Sequence, residues 1–307
     1  MIRDTGTIQL SCPPGRSRVV RTSAAIQKVK SRLRRKKNVS VRKLSRELNI
    51  SRRTVGRILK NDLKCHPYKK IIEPKLTDSH KAERKKFANW VRNNFQKEQI
   101  MKILFSDEKI FDINGVYNSQ NDRIWAVDRA QADTKGGRKQ VQQFPQKVMV
   151  WLGACSKGVT PLVILDRKPK PKSDKGTVDH VRYIQEVLPV ALAYGNEVFG
   201  DHWMFQQDGA GAHKHQLTQN WCRDHFPSFI TEDRWPANSP DLNPLDYSIW
   251  DEFVHAINWG KVTSKKTLIE ELKRAVRKIR PKIVLESCNS WTVRLLNVCK
   301  NDGNYLR

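Results

Sequence analysis

From Ser23 to Leu59 the apolar residues recur at helical spacing in three short runs. Ala25, Ile26, Val29 and Leu33 share one side of a segment whose other faces carry Lys28, Lys30, Arg32, Arg34 and Arg35, which predicts an amphipathic helix over Ser23–Arg35. Ser40 suits an N-cap for a second helix, with Val41, Leu44 and Leu48 at helical spacing. Asn49-Ile50 makes a tight turn, because asparagine tolerates left-handed backbone angles. Ser51 caps a third helix that turns Val55, Ile58 and Leu59 inward and Arg52, Arg53, Thr54 and Arg57 outward. Three short helices with a tight turn before the last form the pattern of a helix-turn-helix, whose final helix enters the major groove. An ordinary three-helix packing unit with a solvated basic face has the same periodicity.

Lys64 to Leu76, broken by Pro67 and Pro74, reads as a linker, and Thr77 or Asp78 then caps a helix to about Asn94 with Ala82, Phe87, Ala88 and Val91 as its apolar residues. From residue 100 short apolar runs alternate with helical ones. Ile103 to Phe111 reads as a buried strand interrupted by Ser106-Asp107-Glu108, and Asn118 to Trp125 as a turn into a short strand. Residues 128–146 are polar and read as a long loop. Val148–Ala154 and Val159–Leu165 form a hairpin turning at Ser156-Lys157-Gly158. Helices are expected over Val178–Ala193, Leu217–Phe226, Leu245–Trp259 and Leu268–Ile279, with short strands at Trp203–Phe205 and Phe229-Ile230. Such alternation predicts an α/β fold behind the small all-α front end.

Composition sharpens this. The chain has 307 residues, 38% of them hydrophobic and nine of them tryptophan, too much apolar material for a disordered protein. Its longest apolar run, Val148–Cys155, is far short of the roughly 20 residues that cross a bilayer. No hydrophobic signal segment opens it, so membrane and secreted classes are disfavoured. Six cysteines without Cys-x-x-Cys pairing read as the reduced thiols of an intracellular protein. Charge is uneven: residues 1–100 hold 28 Lys and Arg against 7 Asp and Glu, while residues 101–307 hold 30 against 24. That asymmetry points to a nucleic-acid-binding front end on a nearly balanced body. Within the aperiodic arm 1–22, Gly15-Arg16-Ser17-Arg18 suits a minor groove, with Arg16 and Arg18 as its contacts; a disordered arm is the plain alternative.

Three segments set carboxylates beside buried strands or at a helix start. Asp107 follows an apolar strand start, Asp208 sits where a strand ends in Phe205-Gln206-Gln207-Asp208, and the proline-rich run from Trp235 delivers Asp246 to a helix. Three converging carboxylates repel one another unless divalent cations neutralise them, and oxygen-only ligands favour Mg²⁺ or Mn²⁺. Each aspartate is also a common cap or turn residue.

The wording of these segments resembles the mariner (Tc/mariner) superfamily of cut-and-paste DNA transposases. The matching residues are Phe105-Ser106-Asp107-Glu108, Val148-Met149-Val150-Trp151, Gln207-Asp208-Gly209-Ala210-Gly211-Ala212-His213 and Trp235 through Trp250, the last containing Ser239-Pro240-Asp241-Leu242-Asn243-Pro244-Leu245-Asp246-Tyr247. With 37 residues between Asp208 and Asp246, the sequence resembles the branch whose third acid is aspartate at this wider spacing. The resemblance runs from about Thr5 to the end of the chain.

It implies a ribonuclease-H-like catalytic domain, a mixed sheet flanked by helices, over 100–260. Before it would lie a basic arm (1–22), the helix-turn-helix (23–64) and a linker with its helix (65–99); a C-terminal helical region (261–307) would follow. Asp107, Asp208 and Asp246 are implied as catalytic residues holding two Mg²⁺ or Mn²⁺ ions, and His213 as a support behind the ligands or a packed histidine. Glu108, next to Asp107 on a regular strand, is expected on the opposite face. The helix-turn-helix would read terminal inverted repeats, and the loop near 128–146 would reach toward a partner subunit. The expected protein is a nuclear, homodimeric enzyme that cuts double-stranded DNA at element ends and joins the 3′-hydroxyls to target DNA.

Two departures stand out. Gly211 replaces the proline usual after Asp-Gly-Ala. Family members usually carry two helix-turn-helix units joined by a Gly-Arg-Pro-Arg-like linker. Asp4-Thr5-Gly6 and Gly15-Arg16-Ser17-Arg18 look like the tail of that linker, so a truncated copy, or a start at an internal methionine, is expected. The alternative functions are a transposase-derived DNA-binding protein without transposition activity and, at greater distance, a ribonuclease or chromatin protein.

Overall fold

The computed structural model describes residues 20–35, 39–67, 73–115, 126–135, 138, 140–165 and 178–306. The chain divides into two units, Met1–Ile72 and Glu73–Arg307.

In the first unit lie α1 (Ser23–Arg35), α2 (Val41–Leu48) and α3 (Arg52–Arg57), the last continued by a π-helical turn Ile58–Asp62. Local chemistry sets the ends. Ser40 accepts from the Lys43 amide and Ser51 from the Thr54 amide, caps that each contribute ~1 kcal/mol. Asn49 closes α2 at φ 49°, the left-handed conformation that the turn requires. Val29, Leu44, Val55 and Ile58 are fully buried and make the core, and Arg21 pairs with Asp62 at 2.8 Å.

The second unit opens with α4 (Asp78–Asn94), where Thr77 and His80 form a reciprocal cap. Its sheet consists of β1 (Ile103–Asp112), β2 (Lys147–Cys155), β3 (Gly158–Val159), β4 (Val163–Leu165) and β5 (Met204–Gln206). The order is β3-β2-β1-β5, with β4 also on β2. β1 and β2 are antiparallel from Phe105↔Ala154 to Asp112↔Lys147, while β5 runs parallel to β1 from Ile103↔Met204 to Phe105↔Gln206. The sheet is therefore mixed. Alternation along β1 and β2 sends Phe105, Phe111 and Leu152 into one core with Trp250, Phe253 and Trp291, and Leu104 and Trp151 into another with Tyr183, Leu188 and Phe205. Helices cover both faces, as the ribonuclease-H-like expectation requires. Among the described residues no helix is long and apolar enough to cross a membrane.

Several expectations change. The second hairpin strand is interrupted between Val159 and Val163. There Thr160 turns its hydroxyl onto the Gly153 amide at 2.8 Å. The helix expected to end at Ala193 runs on to Phe199 and contains a π-helical turn, Tyr183–Val187. The one expected over Leu245–Trp259 is a π-helical turn Leu245–Ile249 followed by a helix that stops at Ala256. Residues 128–146 include a short helix, Arg129–Thr134, capped by Asp128. Phe229 makes a single bridge to Phe205 rather than a strand. The strand read at Asn118–Trp125 and the arm before Val20 lie outside the described residues.

Helix Pro281–Lys300 and α4 share the main core: Val284, Trp291, Leu295 and Val298 are buried in the same cluster as Phe87 and Val91. The regions read as a C-terminal helical part and a linker helix thus pack with the catalytic sheet.

Candidate active site

Strand parity decides where the first carboxylate goes. Asp107, paired with Leu152, faces the core that holds Trp250, whose indole N–H donates to Asp107 Oδ2 at 2.6 Å. Asp246 stands in the π-helical turn Leu245–Ile249, after a run in which Asp241, Leu242, Asn243 and Leu245 are buried. Asn243 anchors that run beside β1 by donating Nδ2 to the Ser106 carbonyl at 3.0 Å. Asp246 lies close enough to Asp107 for the two charges to bear on one another. Asp208 lies two residues beyond the end of β5, the strand parallel to β1. A cleft of about 380 Å³ opens between Asp208 and Asp246, lined also by Lys214, Trp235 and Asn243.

The electrostatics follow from this crowding. Burial, then the charges of Asp246 and Glu108, push the Asp107 carboxyl up to about 8, against the pull of the Trp250 donor. Asp246 is an exposed residue, yet the protein packed around it costs its carboxylate hydration and lifts it to about 6; Lys109 opposes the rise. Crowded carboxylates resist being charged together, a repulsion that a divalent cation would offset.

Asp208 behaves differently. Burial works against its charge, but the hydrogen bond and charge of His213, with the Ala210 amide and Lys214, outweigh it and hold the carboxyl below the usual range. His213 Nδ1 is 2.7 Å from Asp208 Oδ1 and its Nε2 is 3.2 Å from Glu108 Oε1. Burial disfavours the imidazolium, yet Glu108 and Asp208 together push it up to about 10.

Glu108 does point to the opposite face from Asp107, paired with Trp151. On that face the segment after β5 carries His213, so Glu108 reaches Asp208 through the imidazole. Among the described residues the ligand atoms of Glu108, Asp208 and His213 lie within 4.8 Å of one another, and the three aspartates are not themselves such a group. The structure thus sets Asp107 near Asp246, and joins Asp208 to His213.

Sequence reasoning missed Trp250 and Asn243 as partners of the site and set Glu108 aside. Only the position of Trp250, four residues after Asp246, was available as a signal. The three aspartates offer the oxygen donors a hard divalent cation takes, and in two of them burial and neighbouring carboxylates disfavour the charged form.

In the first unit Arg52, Arg53 and Arg57 are exposed on α3. The Thr54 hydroxyl lies 2.9 Å from that of Ser51 and belongs to the cap. Arg16 and Arg18 lie outside the described residues.

No family model matches the chain. The transposable element Tc3 transposase of Caenorhabditis elegans is 27% identical over 270 residues, 84% of this chain and 72% of that protein. The Tcb2 transposase of Caenorhabditis briggsae is 22% identical over 238 residues, 75% and 78% of the two chains. The Mos1 transposase paired-end complex with left transposon end superposes with a TM-score of 0.68 at 17% identity, over 99% of this chain and 84% of that one. The catalytic domain of Mos1 transposase with Raltegravir and Mn matches with a TM-score of 0.55 at 17% identity, over 76% and 100%. The Mos1 likenesses establish the fold, a ribonuclease-H-like mixed sheet flanked by helices. The likeness to the two Tc-element transposases supports a transposase of the Tc/mariner superfamily.

Proposed function

We propose that this transposase binds the terminal inverted repeats of its own DNA element, hydrolyses the phosphodiesters at the element ends and joins the freed 3′-hydroxyls to target DNA. The observation that carries the reading is the open cleft between Asp208 and Asp246, with the buried Asp107 close enough to Asp246 for their charges to interact. Those three aspartates would hold two Mg²⁺ or Mn²⁺ ions; Mos1 complexes with Mn and with Mg accord with that choice. When bound, such ions activate an attacking oxygen and stabilise the leaving one in an in-line displacement.

The chain's own residues do the rest. Trp250 fixes the rotamer of Asp107, and Asn243 fixes the distance between its strand and the turn that bears Asp246. Glu108 steadies His213, which steadies Asp208, a supporting layer of the kind that orients metal ligands. In the first step water attacks phosphorus and the 3′-oxygen leaves as a hydroxyl. In the second, that hydroxyl attacks a target phosphodiester and displaces the next 3′-oxygen. Neither step needs a covalent protein–DNA bond.

Arg52, Arg53 and Arg57, with Arg16, Arg18 and Thr54, are assigned to DNA contact. The working form is a homodimer in the nucleus, because two element ends must be cut together; the segment 128–146 is the part assigned to the partner. Incubating a linear duplex bearing the inverted repeats with Mn²⁺ tests the reading. Asp208→Ala should abolish nicking and leave duplex binding nearly intact; a variant that still nicks refutes the site.

A further inference from the structure

A second cluster of charge lies under the candidate site and is wholly buried. Arg84 on α4 is 0% exposed and Asp241 is 1% exposed. The guanidinium meets the carboxylate in a fork, Nη1 on Oδ1 at 2.8 Å and Nη2 on Oδ2. Its other donors go to the Ser239 hydroxyl at 2.7 Å, the Gly303 carbonyl at 2.9 Å and the Asn304 carbonyl at 3.3 Å. The Leu306 amide returns to Asp241 Oδ2 at 2.8 Å. Gly303 fits because its φ is +76° and because a Cβ there would stand 2.3 Å from the Lys81 carbonyl oxygen of α4.

We propose that this Arg84–Asp241 pair, closed by the segment Gly303–Leu306, is a positioning device that sets Asp246 for metal binding. The inference rests on the reading of Asp246 as a metal-holding carboxylate. Asp241 is the middle residue of the short turn Pro240–Leu242, five residues before Asp246. Several backbone groups along that path are committed. Arg294 Nε donates to the Asp241 carbonyl at 2.8 Å, and Trp291 Nε1 to the Leu242 carbonyl at 2.7 Å. Asn243 binds the Ser106 carbonyl with Nδ2 and accepts the Leu245 amide with Oδ1 at 3.1 Å. Ser106 precedes Asp107, and Leu245 precedes Asp246. The register between the two carboxylates is therefore fixed by a chain of contacts whose charged anchor is Arg84.

Stability alone does not call for such an anchor. A buried ion pair roughly breaks even against well-packed apolar side chains of the same volume. What an apolar pair cannot supply is direction. The planar fork holds the Asp241 carboxylate in one plane, and three further acceptors hold the fork. The contacts tie together α4, the turn before Asp246 and the segment after helix Pro281–Lys300. Those three pieces are far apart in sequence.

The test uses the full chain and two variants. Asp241→Asn keeps the size of the side chain but weakens the fork; Leu306→Pro deletes the amide that closes it, with Leu306→Ala as the control for its buried side chain. For each, Mn²⁺ binding is titrated by calorimetry without DNA, and amide exchange is followed over residues 239–249. Both variants should bind Mn²⁺ about ten-fold more weakly or worse, with faster exchange in that segment and unchanged duplex binding. Arg84→Lys, which keeps the charge and removes the fork, should not restore binding. Mn²⁺ affinity within about two-fold of the parent in a folded Leu306→Pro protein overturns the proposal, even if Asp241→Asn fails to fold. Asp246→Asn separates the two ideas. If it binds Mn²⁺ like the parent, the assignment of the metal site fails. If it binds weakly while Leu306→Pro does not, only the positioning role fails.

Discussion

The Trp250 indole N–H donates to Asp107 Oδ2 across 2.6 Å, so the first carboxylate of the site is held by the helix that follows the third. Trp250 is 1% exposed and packs on Phe111 and Phe253, which leaves the bond no alternative partner in water. Trp250→Phe should keep the fold at a cost of about 1–3 kcal/mol for the missing donor and the smaller ring. It should also lower cleavage and raise the Mn²⁺ concentration needed for half-maximal rate. Cleavage at the parent rate at every Mn²⁺ concentration would remove Trp250 from the site.

Asp107 carries a proton on folding that the unfolded chain lacks between its ordinary value of 3.8 and about 8. The folded state then binds more protons than the unfolded one, so stability without metal falls as pH rises through that window. Asp107→Asn removes the group responsible. It should raise the metal-free Tm at pH 8 by at least about 2–4 °C, the shift that ~1 kcal/mol gives a domain of this size. The gain should shrink at pH 5, and cleavage should vanish. A lower Tm at pH 8 contradicts the crowded-carboxylate picture.

His213 is buried between two carboxylates, 2.7 Å from Asp208 and 3.2 Å from Glu108. Removing such supporting partners typically costs 10–100-fold in metal affinity or activity. His213→Ala and Glu108→Leu should both fall in that range, and Glu108→Gln, which still offers an oxygen to Nε2, should be milder. Equal effects of Gln and Leu would mean that the interaction does not matter.

Much of this was legible in the chain and some was not. α1, α2 and α3 follow from period and caps, since Ser40, Asn49 and Ser51 each act within four residues of themselves. β1 was legible from Ile103-Leu104-Phe105, and the end of β5 just before Asp208 from Trp203-Met204-Phe205. The Arg84–Asp241 pair was not, because an interaction between residues 157 apart leaves no local period. Parity along β1 put Glu108 on the far face correctly, but it says nothing of which helix packs there. Likewise the π-helical turn at Leu245–Ile249 reads as plain helix in any apolar pattern.

Arg52, Arg53 and Arg57 stand exposed on α3, with the apolar side of the helix committed to Val55. An arginine that pairs with a phosphate should, when replaced by alanine, lower the salt slope of log K by about 0.9 on duplex DNA. An arginine that reads a base edge should instead cost about 1–3 kcal/mol and relax sequence preference. Titrating the three alanine variants at several salt concentrations tells the two roles apart; unchanged affinity and slope in all three would remove α3 from the interface.

The most direct measurement is a time course of end cleavage and joining on a duplex that carries the inverted repeats, in Mg²⁺ and in Mn²⁺. The full chain should release 3′-hydroxyl ends and then yield joined products with a target duplex. Asp107→Ala, Asp208→Ala and Asp246→Ala should each bind that DNA and give neither product. A parent protein that binds the repeats and cuts in neither metal, or any one of the three variants that cuts at the parent rate, would contradict the account.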